Sequence, residues 1–158
     1  SWVNVDTGLP NALVTEAIEA GLIESLADYD SARREVKYGK ASRIDILLER
    51  EGGERCYVEV KSTTMAEGSQ ARFPDAVTTR GLKHLFELRD MVREGHRAVI
   101  FFCVSRSDVT TFAPADEIDP KYGKDLREVV AEGVEAMAWS TAVEPRRFEL
   151  LKPLPIEL

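Results

Sequence analysis

The chain has 158 residues, a formal net charge of −7, 44% hydrophobic residues and 31% charged residues. That length suits one domain with a proper core, and that balance suits a soluble globular chain. No apolar run approaches the roughly 20 residues of a membrane span, no signal peptide is present, and the acidic balance opposes indiscriminate affinity for nucleic acid.

Residues 1–9 read as an extended lead-in, and the start at Ser1-Trp2 without methionine reads as a fragment or a processed product. Leu9-Pro10-Asn11 opens a helix through about Ala20, with Pro10 in its first turn and Gly21 as its stop. Leu13, Val14, Ala17 and Ile18 form its apolar stripe, and Glu16 and Glu19 lie off it. A strand is expected over Ser31–Tyr38. Ser42–Leu48 alternates and then runs apolar, and Cys56–Lys61 alternates cleanly, so both read as strands. Glu51-Gly52-Gly53-Glu54 between them is a turn signal, which makes the pair a hairpin.

Ser62–Asp75 has no clear period, contains Gly68 and Pro74, and reads as a loop of functional length. A helix is expected over about Ala76–Arg93, with Leu82, Leu85, Phe86, Arg89 and Val92 inward. Arg80, Lys83, His84 and Glu87 then form one polar ridge. Arg97–Ser105 is a strand apolar enough for burial on both faces, and Val109–Phe112 reads as an edge strand. Asp119 caps a helix that begins with Pro120 and ends at Gly133. Val134–Trp139 and Phe148–Leu151 complete the strands, and Pro153 and Pro155 discourage further pairing. The fold class is therefore mixed α/β, a mixed β-sheet flanked by helices.

Cys56 and Cys103 both lie in apolar strands, which predicts reduced, buried thiols in a cytoplasmic protein. With two histidines and no paired-cysteine motif, a structural zinc site is not expected. Charge is unevenly spread. Arg33, Arg34, Lys37, Lys40 and Arg43 face only Glu35 in the stretch leading to Asp45, whereas residues 112–136 are acidic. Such a run is either a solvated face or a phosphate-binding stretch.

The chemistry concentrates in Asp45 and in Glu59-Val60-Lys61. Side chains switch face at each strand residue, so Glu59 and Lys61 share one face opposite Val58 and Val60. The hairpin brings Asp45 beside Glu59. Two converging carboxylates can hold a hard divalent cation through oxygen, and a neighbouring lysine can orient water for attack on phosphorus. The spacing alone is met by chance in many charged chains, so a metal site and an ordinary charged strand face both fit it. Arg43 falls on the face of Asp45 and reads either as a phosphate ligand or as an ion-pair partner of Glu59.

This order of elements resembles the core of the PD-(D/E)XK nucleases, a restriction-endonuclease-like fold. Longer segments resemble the SfsA family of sugar fermentation stimulation proteins. They include Val3–Asn11, Tyr38-Gly39 with Ser42-Arg43-Ile44-Asp45, Tyr57–Thr64, Phe73–Thr78 with Arg80-Gly81, Lys83-His84-Leu85, Gly95–Val99 and Ile118-Asp119-Pro120. The resemblance spans nearly the whole chain. It implies a DNA-binding, nuclease-like protein connected with sugar (maltose) metabolism. It also implies an N-terminal OB-like domain in full-length members, ahead of the part present here.

By that resemblance Asp45, Glu59 and the Val60 carbonyl are expected to hold Mg²⁺ or Mn²⁺, with Lys61 positioning water or stabilising charge on the phosphate. Glu16 is either a further ligand from the first helix or a solvated residue. Arg80, Lys83 and His84 are expected to line a DNA channel with Arg43. Leu82 departs from the family, where a glutamine is expected, so polar support from that position is lost. Asp75 reads as a helix cap, and Trp2 and Trp139 as core residues ahead of base-stacking ones. Two functions follow: a Mg²⁺- or Mn²⁺-dependent deoxyribonuclease, or a non-catalytic DNA-binding regulator on the same fold. A carbohydrate-processing enzyme ranks last, since no sugar-hydrolase carboxylate arrangement is apparent. DNA binding is expected to be phosphate-dominated and weakly sequence-specific.

Overall fold

A computed structural model of the chain describes residues 8–39, 42–144 and 147–158, so Trp2 and Lys40 lie outside the described residues. Helix α1 (Leu9–Glu19) has Pro10 in its first turn and buries Leu13, Val14, Ala17 and Ile18. It stops where Gly21 takes φ 75°. The backbone N–H groups of Gly21 and Leu22 then donate to the carbonyls of Ile18 and Ala17, a helix end that favours a residue without Cβ.

Strands β1 (Ser31–Tyr38), β2 (Ser42–Glu49) and β3 (Arg55–Thr63) follow, antiparallel in turn. Gly52 and Gly53, at φ 110° and 97°, make the β2–β3 turn. Residues 62–75 are not a loop. They carry β4 (Ala66–Glu67) and β5 (Gln70–Phe73), which with β7 (Thr111–Pro114) form a separate three-stranded sheet. Strands of two to four residues are too short to register a period. Their cohesion comes from distant partners, as where Phe73 packs 5.4 Å from Phe102 and 5.3 Å from Tyr122 between ring centroids.

Helix α2 (Thr79–Arg93) is capped by Thr78, whose hydroxyl accepts the Gly81 N–H at 2.9 Å. The expected cap, Asp75, is exposed in the segment ahead of it. Helix α3 (Pro120–Ala131) is capped by Asp119 as the sequence predicts. That carboxylate is buried, accepts Tyr122 N–H at 3.1 Å through one oxygen and Thr78 N–H at 3.0 Å through the other. One side chain thus ties the starts of both helices together.

Strands β6 (Arg97–Val104), β8 (Glu135–Glu144) and β9 (Arg147–Pro153) complete the main sheet, ordered β1-β2-β3-β6-β8-β9. The central β3-β6-β8 portion is parallel and the outer strands are antiparallel. Ala98 to Val104 are buried throughout, as the unbroken apolar run requires. One face of the sheet packs with α1 through Ile46, Val58, Val60 and Phe101. The other packs Leu47, Tyr57, Ile100 and Phe102 with apolar residues of α2, α3 and the small sheet. Cys56 and Cys103 are buried free thiols. Among the described residues no helix is long and apolar enough to cross a membrane.

Candidate functional site

The site forms where β2 parts from β3. Strand β2 stays paired with β1 as far as Ser42, but its pairing with β3 stops at Ile46–Val58. Asp45 and Glu59 come next at this fork. The Val60 N–H, without a β2 carbonyl, donates to Asp45 Oδ2 at 2.8 Å. A strand residue points its N–H and C=O to the same side, so the Val60 carbonyl turns toward the same gap. Asn11 of α1 donates to Asp45 Oδ1 at 3.0 Å. The Asp45 carboxylate is therefore held from two elements before any ligand arrives.

Glu59 is 3% exposed. Its Oε1 is buried with no donor among the described residues. Its Oε2 lies 3.2 Å from His84 Nδ1 and 3.9 Å from Lys61 Nζ. Burial pushes the Glu59 carboxyl up to about 8. Repulsion from the neighbouring Asp45 carboxylate adds to that, while Lys61 opposes it. Two acceptor-only carboxylates side by side need something positive between them, a proton or a cation.

Lys61 and His84 pack beside the Glu59 carboxylate, and of the two only His84 is among the residues that line the site's cavity. Lys61 Nζ lies 2.7 Å from His84 Nδ1. Burial pushes the Lys61 ammonium down, and the two carboxylates resist that shift. Burial, then the positive charges of Lys61, Arg80 and Lys83, hold His84 down at about 4. His84 is thus neutral and accepts the Lys61 N–H, which fixes where the lysine points. His84 does not belong to the solvated ridge with Arg80 and Lys83. It is buried with Gly81, Leu85, Leu88 and Met91 on the inner stripe of α2. Both settings fit a helical period, because His84 is four residues from Arg80 and three from both Gly81 and Glu87. Glu87 accepts the Ser42 hydroxyl at 2.6 Å.

Asn11, Glu35, Ser42, Arg43, Asp45, Glu59, Arg80, Lys83 and His84 line one cavity of about 580 Å³. Carboxylates and His84 make its floor, and exposed Arg43, Arg80 and Lys83 stand at its rim. These three cations have no ion-pair partner among the described residues. Lys37 sits directly across from Arg43 in the β1–β2 register, a like-charge pair that an anion would relieve. Glu16 is exposed and does not line this cavity, and Asn11 is the α1 residue that reaches Asp45. Leu82 is half-buried against the core, so it lends the site no polar support. Trp139 is half-buried in the wall of a separate cleft of about 670 Å³, lined chiefly by apolar residues such as Ile23, Met137 and Leu154.

Sequence reasoning did not assign roles to Asn11, Ser42 or Glu35 at this site. Asn11 stood only at the start of the first helix and in a family-like motif, Ser42 only in a strand and such a motif, and Glu35 only as the acid in a basic run. No local signal marks a residue that reaches the site from another element.

Comparison with known proteins places the chain. A family model described as the sugar fermentation stimulation protein RE domain matches residues 8–147. A sugar fermentation stimulation protein homolog of Pelobacter propionicus is 55% identical over 157 residues, covering 99% of this chain and 68% of that protein. A homolog of Geobacter metallireducens is 56% identical over 158 residues, covering 99% of this chain and 68% of the relative. The structure of Pyrococcus furiosus SfsA in complex with Ca²⁺ superposes with a TM-score of 0.91 at 32% identity, covering 99% of this chain and 67% of that one. The chain therefore spans about two thirds of these relatives' length. Its mixed sheet, helices and forked β2–β3 pair are a restriction-endonuclease-like core, and the chain belongs to the sugar fermentation stimulation protein (SfsA) family.

Proposed function

We propose that this domain hydrolyses DNA phosphodiesters with a divalent cation, Mg²⁺ or Mn²⁺, held by Asp45, Glu59 and the Val60 carbonyl. The observation that carries this reading is the buried Glu59 Oε1, which has no donor among the described residues and sits beside the Asp45 carboxylate in a cavity rimmed by cations. Among the described residues no three of His, Cys, Asp and Glu form a ready-made cage. That suits Mg²⁺, which keeps several waters and is commonly held by one or two carboxylates plus substrate phosphate. The Pyrococcus furiosus relative was determined with Ca²⁺, another hard, oxygen-seeking ion.

When bound, the cation supplies Lewis-acid charge to a phosphoryl oxygen and lowers the pKa of a bound water. The protein's own groups do the rest. Lys61, kept in place by neutral His84, orients the attacking water and stabilises charge developing on phosphorus. Arg43, Arg80 and Lys83 take the neighbouring phosphates. Contacts of that kind fix register on the backbone without reading bases, so weak sequence preference follows.

The test is cleavage of supercoiled, linear and single-stranded DNA with Mg²⁺, Mn²⁺ or EDTA, comparing wild type with Asp45→Ala and Lys61→Ala. Cation-dependent cutting lost in both variants is the expected result. Cutting unchanged in both overturns the site. DNA binding without cutting under every cation would replace the nuclease with a DNA-binding regulator on the same scaffold.

A further inference from the structure

We infer that Glu35 is a third carboxylate of the cation site, contributed by the edge strand β1. This rests on the metal-site reading above and extends it to a residue outside the Asp45–Glu59–Lys61 set. Arg34 pairs with Ile46 and Val36 with Ile44, so Glu35 lies across from Asp45 without any slip of register. Yet Glu35 has φ 59°, the one non-glycine residue with positive φ among the described residues. A long side chain is uncommon in that region, which glycine or asparagine enters more easily.

Glu35 lines the same cavity as Asp45 and Glu59. It makes no hydrogen bond or ion pair among the described residues, although Arg43, Arg80 and Lys83 line that cavity too. Helix α1 does not supply the third acid, because Glu16 is exposed off the cavity and Asn11, which does reach Asp45, adds no charge. The ligand-seeking atom is already present, since Glu59 is 3% exposed and its buried Oε1 has no donor among the described residues. Glu35 does not yet close a three-ligand cluster with Asp45 and Glu59, but it is exposed and unpaired, so its flexible side chain is free to swing onto an ion docked between them.

The test is Ca²⁺ titration by calorimetry, with melting curves in EDTA and in Ca²⁺, on wild type, Glu35→Gln, Glu35→Gly and Glu59→Gln. Both Glu35 variants are expected to bind Ca²⁺ about tenfold or more weakly. Glu35→Gly should melt in EDTA no lower than wild type, because glycine adopts φ 59° without strain. Weaker ion binding in a variant that is no less stable separates a ligand from a structural residue. Wild-type Ca²⁺ affinity in both Glu35 variants, with binding lost in Glu59→Gln, overturns the role of Glu35 and leaves the site standing. Wild-type affinity in Glu59→Gln, or no Ca²⁺ binding by wild type, overturns the underlying site instead.

Discussion

Replacing Glu59 with glutamine should remove the loss of stability that this carboxyl imposes as pH rises. In the unfolded chain Glu59 titrates near 4.5, and in the folded protein burial and Asp45 hold it at about 8. Below about 4.5 both states carry the proton. Between the two values the folded state keeps a proton that the unfolded state sheds. Stability contributed by the protonated carboxyl is therefore complete at low pH and is lost as pH rises through 8. The slope is at most about 1.4 kcal/mol per pH unit, so the loss over this window is on the order of a few kcal/mol. Glutamine has nearly the same shape and no proton to lose. The stability difference between Glu59→Gln and wild type should be small at pH 5 and should favour the variant by about 2–4 kcal/mol at pH 9. Urea denaturation in EDTA at pH 5, 7 and 9 measures this, and the difference between the two curves cancels most other titrations. Parallel curves would refute the buried, Asp45-opposed carboxyl. Ca²⁺ should restore wild-type stability at pH 8, by taking the proton's place, and should leave the variant unmoved.

Three further outcomes follow from individual contacts. Asp45→Ala leaves the Val60 N–H without its acceptor, and should cost about 1–3 kcal/mol in urea denaturation, whereas Asp45→Asn retains an acceptor and should cost less. Asp119→Ala removes the cap of α3 and the acceptor for Thr78 N–H at the start of α2. It should cost about 2 kcal/mol, or about 4–8 °C in melting temperature, with α2 amides exchanging hydrogen faster. Arg43→Ala, Arg80→Ala and Lys83→Ala should each weaken binding to all DNA sequences alike and lower the slope of log affinity against log salt by about one. A change in sequence preference instead would mark a base contact.

The β2–β3 hairpin was legible because its signals are local. Alternation places Glu59 and Lys61 on one face whatever else packs around them, and Gly52-Gly53 permits the turn that brings Asp45 alongside. The Asp119-Pro120 start of α3 and the buried β6 were readable for the same reason. Residues 62–75 were not, since β4 and β5 exist only through pairing with each other and with β7, some forty residues away.

The sequence by itself determined that Glu59 and Lys61 would share one face of a strand with Asp45 beside them on its hairpin partner, because strand periodicity is a property of the backbone. Only the tertiary structure decided what surrounds them. The parting of β2 from β3 gives Asp45 the Val60 N–H. The packing of α2 turns His84 inward onto Lys61. The left-handed backbone at Glu35 places a further acid on the cavity wall. Each of these depends on residues distant in the chain competing for the same space, and that competition is settled by how the core packs.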